Sequence, residues 1–176
     1  MFTNKHSKFS ILIIPICLAI AIYKIPFGGK QVVSFDAPLT TTFDILTNHL
    51  WKLHPFIVNV TQLEVINSTC SFYKITDRIE LIPSIYYTAS YYVRLNIDRE
   101  NLCLTSEVYT PLSIMNAYHR YCLHENTLKP TTIIITDQFH GYSWLIVKFY
   151  IEKNMLISHK YTLEKLRKEM MIYGTD

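Results

Sequence analysis

Apolar and polar residues alternate with a period of two through the middle of this 176-residue chain, and a helical period takes over on either side. In FYKITDRIEL, residues 72–81, Tyr73, Ile75, Ile79 and Leu81 are apolar while Lys74, Thr76, Arg78 and Glu80 are polar. Leu81-Ile82-Pro83-Ser84 reads as a turn. Beyond it Ile85, Tyr87, Ala89, Tyr91, Val93, Leu95 and Ile97 alternate with Tyr86, Thr88, Ser90, Tyr92, Arg94, Asn96 and Asp98. This run predicts a strand whose odd-numbered side chains share one shielded face. A strand starting at Ile57 precedes these two, and NLCLTSEVY, SIMNAYHRYCLHE and TTIIITDQFH follow them. The connections are short, so the six strands predict an antiparallel meander with one buried and one wetter face.

Ahead of the meander, Gln31 to Asp36 reads as a further strand, ended by Ala37-Pro38. Phe43, Leu46, Leu50 and Leu53 then recur at helical spacing until Pro55. The pattern predicts two short helices, about 40–48 and 50–54, with a threonine among Thr40, Thr41 and Thr42 as N-cap. After the meander a long helix is expected from Tyr142 or Ser143 to Met171, with Gly174 as a stop. Ile151, Met155, His159, Leu163, Leu166 and Met170 form one stripe, and Lys153, Lys160, Glu164, Lys165 and Lys168 lie on the other side. That is the pattern of a helix laid on a sheet. At 100° per residue Lys148 and Glu152 also fall on the apolar stripe, four apart and within reach of each other.

The first thirty residues stand apart. Lys5 and Lys8 precede the uncharged run FSILIIPICLAIAIY, Phe9 to Tyr23, which Lys24, Ile25-Pro26-Phe27-Gly28-Gly29 and Lys30 close. Fifteen helical residues reach about 22 Å, short of a ~30 Å hydrocarbon core. The run becomes adequate if it extends to Gly29 with Lys24 snorkelling. The expectation is a signal anchor over 1–30, single-pass and membrane-embedded through residues 9–29, followed by a domain over 31–172. The alternative is a signal peptide removed at Ala19-Ile20-Ala21, which would make the domain secreted.

Composition narrows the function. The formal net charge is only +3 and the basic residues are dispersed, so nucleic acid is not an expected partner. Cys70, Cys103 and Cys122 are an odd number within the domain and lack metal spacing, so no disulfide framework is expected. Asn59-Val60-Thr61 and Asn67-Ser68-Thr69 fit the glycosylation sequon. No nucleophile elbow, zincin helix or phosphate loop occurs, so no catalytic residue, metal or cofactor is assigned. His54, His119 and His159 read first as structural groups, His159 as a hydrogen-bonded core histidine. Asp77 and Asp137 sit among strand residues that can point inward.

The order of strand, helical segment, meander and closing helix resembles the START-like superfamily, also called SRPBCC, with its polyketide-cyclase-like and pollen-allergen-like branches. VVSFDAP, FDILTNHLWKLHP, FYKITDRIEL, LTSEVYTPLSIMNAYHRY, TTIIITDQF and HKYTLEKLRKEM carry the resemblance, which covers about Gln31 to Met171. It implies an α+β helix-grip fold, in which a curved antiparallel sheet of about seven strands wraps a long C-terminal helix around a cavity for a lipid, sterol or other apolar ligand. Tyr73, Tyr87, Tyr91, Met115, His119, Lys148, Glu152 and Met155 are the expected cavity residues. The tyrosines combine apolar area with a hydroxyl, and Lys148 and Glu152 would hold a polar head. The expected partner is thus a hydrophobic small molecule or lipid. The alternatives are a cyclase- or hydrolase-like enzyme using His119 or Glu152 as general base, and an interaction domain whose tyrosines simply fill the core.

Overall fold

The structure, a computed structural model, describes residues 15, 17–82 and 84–173. Its elements are β1 (Lys24–Asp36), α1 (Leu39–Leu53), β2 (Ile57–Val65), β3 (Cys70–Ile82), β4 (Ile85–Asp98), β5 (Cys103–Tyr109), β6 (Met115–Asn126), β7 (Lys129–Trp144) and α2 (Lys148–Tyr173). All seven strands form one antiparallel sheet in the order β1-β7-β6-β5-β4-β3-β2. The meander from β2 to β7 is therefore as expected, and β1 adds to its far edge. Helix α2 lies along the inner face of the sheet, packed on β1, β7 and α1.

The inner face is set by parity. Leu95, Leu104, Tyr121, Ile133 and Ile135 point inward and meet Phe43, Leu46, Leu50 and Leu53 from α1 and Leu163, Leu166 and Met170 from α2. Leu46, Leu53, Ile135 and Leu166 are wholly buried. Burying such a side chain contributes roughly 1.5–3 kcal/mol, so this cluster is where the fold is held. The stripe expected on the closing helix faces the sheet throughout, from half-buried Ile151 and Met155 to buried His159, Leu163, Leu166 and Met170.

Several boundaries differ from the sequence reading. β1 starts at Lys24 instead of Gln31, with Lys24 opposite Trp144 and Gly29 opposite Phe139. Its Pro26 and two glycines hide the strand pattern, yet Phe27 is 5% exposed and belongs to the core. The two short helices are one, α1, because Phe43, Leu46, Leu50 and Leu53 form an unbroken apolar stripe bounded only by Pro38 and Pro55. The residue before the helix is Pro38, and the Thr42 hydroxyl donates to the Pro38 carbonyl at 2.7 Å instead of capping a free amide. β7 continues through Trp144, so α2 begins at Lys148 after a 3-10 turn, Leu145–Val147. Gly174 lies outside the described residues.

The disulfide expectation is also corrected. Register places Cys103 directly opposite Cys122 on adjacent strands, with Cα atoms 4.2 Å apart and the sulfurs bonded. Cys17 and Cys70 remain as thiols. Counting cysteines misled because pairing depends on register and not on parity of number.

Before β1, residues 17–21 are helical and their side chains are largely exposed, Leu18 and Ile20 among them. Most of the apolar run lies outside the described residues. No helix among the described residues is long and apolar enough to cross a membrane. The extension of a helical span to Gly29 is excluded, since Lys24 to Gly29 belong to the β1 ladder.

Candidate functional site

The grip has a closed end and an open end. At the closed end α1 and α2 both cover the sheet and the side chains interlock. At the open end only the first turns of α2 face it. There Val108, Met115, Ile151 and Met155 point inward yet remain partly exposed, packed against buried Phe27, Ala117 and Phe139, with half-buried Tyr91 further across the sheet on β4. The β3–β4 hairpin overshoots its neighbour at this end. Tyr92 pairs with Tyr109, the last residue of β5, so the β4 residues before it pair with β3 alone.

The expected cavity residues divide accordingly. Tyr91, Met115 and Met155 line the open end. Tyr73 packs against the closed core and meets Trp51 edge-on at 5.2 Å. Tyr87 is 56% exposed, and Ile85 53%, because both stand on the overshooting hairpin where nothing covers the inner face. The alternation of shielded and wet residues in β4 therefore holds from Tyr91 to Ile97 but not before. Lys148 and Glu152 are half-buried in the first turns of α2, and the ion pairs of the described residues do not join them.

Among the described residues two carboxylates are buried within the grip, each the centre of a polar group. In the first, the Tyr91 hydroxyl donates to Asp77 Oδ2 at 2.9 Å, while Asp77 Oδ1 has no hydrogen-bond partner. Asp77 is only 6% exposed. Burial outweighs the tyrosine bond and raises its carboxyl to about 6.

The second group joins both core ends. Asp137 on β7 is fully buried, and His119 on β6 and His159 on α2 converge on it. His119 Nε2 lies 2.9 Å from Oδ1, and His159 Nδ1 lies 3.1 Å from Oδ1 and 3.0 Å from Oδ2. Burial alone would push the Asp137 carboxyl up, but the bonds from the two imidazoles hold it below its ordinary value. Burial, with the nearby His159, lowers His119 to about 4. The rings of Tyr121 and Phe139 wall the cluster, with centroids 4.2 Å from His119 and 4.7 Å from His159. The ligand-capable atoms of His119, Asp137 and His159 all lie within 4.8 Å of one another, so these are the residues that could hold a metal ion.

Beside the cluster, His54 Nε2 sits 2.5 Å from the Ser158 hydroxyl. This is not an activated nucleophile. His54 Nδ1 accepts the Phe56 amide at 3.4 Å, which leaves the proton on Nε2 and makes His54 the donor to Ser158. Among the described residues no carboxylate orients the ring as a base would require. Burial, then the neighbouring His159 and His119, lowers His54 to about 3, so it stays neutral.

Sequence reading had Asp77 and Asp137 as residues able to point inward, and His159 as a bonded core histidine; all three placements hold. What it missed was their convergence. Asp137 shares parity with Ile133, Ile135 and Phe139, which marks it as inward-facing, but its meeting with His119 and His159 depends on β6–β7 register and on the phase of α2. Two surface grooves lie elsewhere and do not hold the expected cavity residues. One, of about 680 Å³, runs along the outer face by Arg120, Cys122 and Gln138; the other, of about 430 Å³, lies between α1 and β2 by Trp51 and Val60.

No protein-family model and no curated protein matches the sequence. Solved structures do match in shape. The Zhui aromatase/cyclase of a Streptomyces species is 10% identical, with a TM-score of 0.64 over 82% of this chain and 95% of its own. Truncated norcoclaurine synthase of Thalictrum flavum is 11% identical, with a TM-score of 0.60 over 84% and 94%. Ara h 8.0201 is 11% identical, with a TM-score of 0.63 over 84% and 99%. With its seven-stranded antiparallel sheet closed on a long C-terminal helix, the chain shares the helix-grip fold of these structures, the fold that the resemblance to the START-like, or SRPBCC, superfamily implied.

Proposed function

We propose that the chain binds a hydrophobic ligand such as a lipid within the open end of the grip, while its N-terminal run holds that end against a membrane. One observation carries the reading. The open end is ringed by exposed apolar side chains from separate segments: Ile85 and Tyr87 on the β3–β4 hairpin, Leu112 between β5 and β6, and Ile146 and Phe149 after β7. Leu112, Ile146 and Phe149 are 82%, 71% and 78% exposed. Such a patch beside an inward-facing apolar surface favours contact with an apolar phase.

The apolar run enters from the same end. Tyr23 accepts the Leu145 amide at 2.9 Å, and β1 starts one residue later. With no linker between the run and the sheet, a membrane that takes up the run lies next to the open end. Inside, the unpaired Asp77 oxygen accepts a hydroxyl of the ligand, and Lys148 and Glu152 meet its polar head. The secreted alternative keeps the same ligand site without the tether.

Full-length protein with donor and acceptor vesicles of phosphatidylcholine tests the proposal, together with native mass spectrometry of the purified chain. Co-purifying lipid, and transfer that falls at least tenfold in an Ile146→Ser, Phe149→Ser double variant of unchanged fold, is the expected result. Absence of both lipid and transfer would sink it.

A further inference from the structure

We infer that His119, Asp137 and His159 form a binding site for a single divalent transition-metal ion of the zinc type. Three elements, β6, β7 and α2, each supply one side chain, and the three donor atoms lie within 4.8 Å of one another. Two imidazole nitrogens and one carboxylate oxygen are the donor set that Zn²⁺ takes with a fourth position left for an exchangeable ligand. Ligand bonds of about 2.0–2.2 Å in a tetrahedron place donor atoms roughly 3.3 Å apart. With Oδ1 as the carboxylate donor, its 2.9 Å and 3.1 Å separations from the two imidazole nitrogens need to open by a few tenths of an ångström, while the two nitrogens, no more than 4.8 Å apart, settle to the same spacing.

Two features favour a cation over a merely hydrogen-bonded cluster. Asp137 is a buried carboxylate with no Lys or Arg pairing with it among the described residues, and both of its ion-pair contacts are to histidines. Its Oδ2 also lacks an aligned donor, although His159 Nδ1 is 3.0 Å away. Charge buried this way is ordinarily paired or bound to a metal. Metal entry moves the His119 proton from Nε2 to Nδ1 and the His159 proton from Nδ1 to Nε2, so both rings ligate as neutral imidazoles. His54 is a positioning residue in this scheme. Its bond to Ser158 fixes the turn of α2 that presents His159.

The test is zinc binding to the purified full-length chain after chelation, read by calorimetry and by ¹⁵N NMR of the histidine rings. One Zn²⁺ per chain is expected, with one histidine shifted at Nε2 and one at Nδ1, and with exposed His124 and His140 unmoved. Asp137→Asn, which keeps the side-chain shape, should weaken binding by more than the ~100-fold that loss of an outer-shell partner can cost; His140→Ala should not change it. Failure of the native chain to take up a stoichiometric ion overturns the assignment. So does metal on surface histidines, or a folded Asp137→Asn that binds within tenfold of the parent. The NMR pattern needs no variant and stands if Asp137→Asn does not fold.

Discussion

Tyr91 and Asp77 are locked together across β3 and β4: the phenol donates at 2.9 Å to one carboxylate oxygen, and the other oxygen has no partner. The carboxyl is raised to about 6 from an ordinary 3.8, by burial first. Folded protein therefore holds this proton more tightly than unfolded chain, so the Asp77 contribution to stability falls as pH rises from 3.8 to 6 and is constant above. The size is about 3 kcal/mol at order of magnitude. Asp77→Asn still accepts from Tyr91 and cannot ionise. Its stability relative to the parent, from urea melts at pH 4 and pH 7.5, should improve by roughly that amount at the higher pH. A pH-independent difference would show that Asp77 is not held in a dry site.

The histidines act in the opposite direction. His54 and His119 are held near 3 and 4 when folded, mainly by burial, against an ordinary 6.5. The unfolded chain takes up protons that the folded chain refuses, so stability drops as pH falls from 6.5 toward 4. His54→Gln should flatten this acid limb in melts recorded from pH 7 to pH 4.5; an unchanged limb would mean that His54 is solvated.

Tyr91 and Tyr92 are adjacent in sequence but face opposite ways. Tyr91→Asp loses burial and sets a second carboxylate beside Asp77, a loss of more than ~2 kcal/mol. Tyr92 is 39% exposed and stacks on Phe72 at 5.7 Å, so Tyr92→Asp should cost no more than about 1.5 kcal/mol. Equal costs in denaturant melts would place β4 in the wrong register.

The same contrast explains what the sequence could and could not disclose. Parity along β4 and the α2 stripe are local, and residues such as Leu95, Leu163 and Leu166 announce their side of the sheet by spacing alone. β1 was half hidden because Pro26, Gly28 and Gly29 are poor strand formers, placed by pairing with β7 instead. A Cβ on Gly141 would stand 2.2 Å from the Asn116 carbonyl, a crowding that appears only after β6 and β7 are side by side. Tyr87 had the right parity and the wrong neighbours. The His119–Asp137–His159 cluster depends on three elements at once, and no spacing in the chain encodes that meeting.

The cysteines offer a direct check on register. With Cys103 bonded to Cys122, the unreduced full-length chain should titrate two thiols, Cys17 and Cys70, of its four cysteines. Replacing both Cys103 and Cys122 by serine opens a loop of sequence separation 19 and should cost about 3 kcal/mol. Four reactive thiols in the native chain would refute the pairing.

The start of β1 decides where the domain can be cut. Only Ile22 and Tyr23 separate the helical residues 17–21 from the first ladder residue, Lys24. A chain beginning at Ile22 keeps every β1–β7 pair and should fold without the apolar run. A chain beginning at Lys30 loses the pairs from Lys24↔Trp144 to Gly29↔Phe139 and removes Phe27, which is 5% exposed against Ala117 and Phe139. Deleting a buried phenylalanine side chain alone costs about 3–5 kcal/mol, and the freed β7 end would expose unpaired backbone beside the proposed ligand mouth. Thermal melts followed by circular dichroism should give a cooperative transition for the longer chain and a markedly lower or absent one for the shorter. If both chains melt alike, Lys24 to Gly29 are dispensable and the strand belongs where spacing alone had placed it, at Gln31.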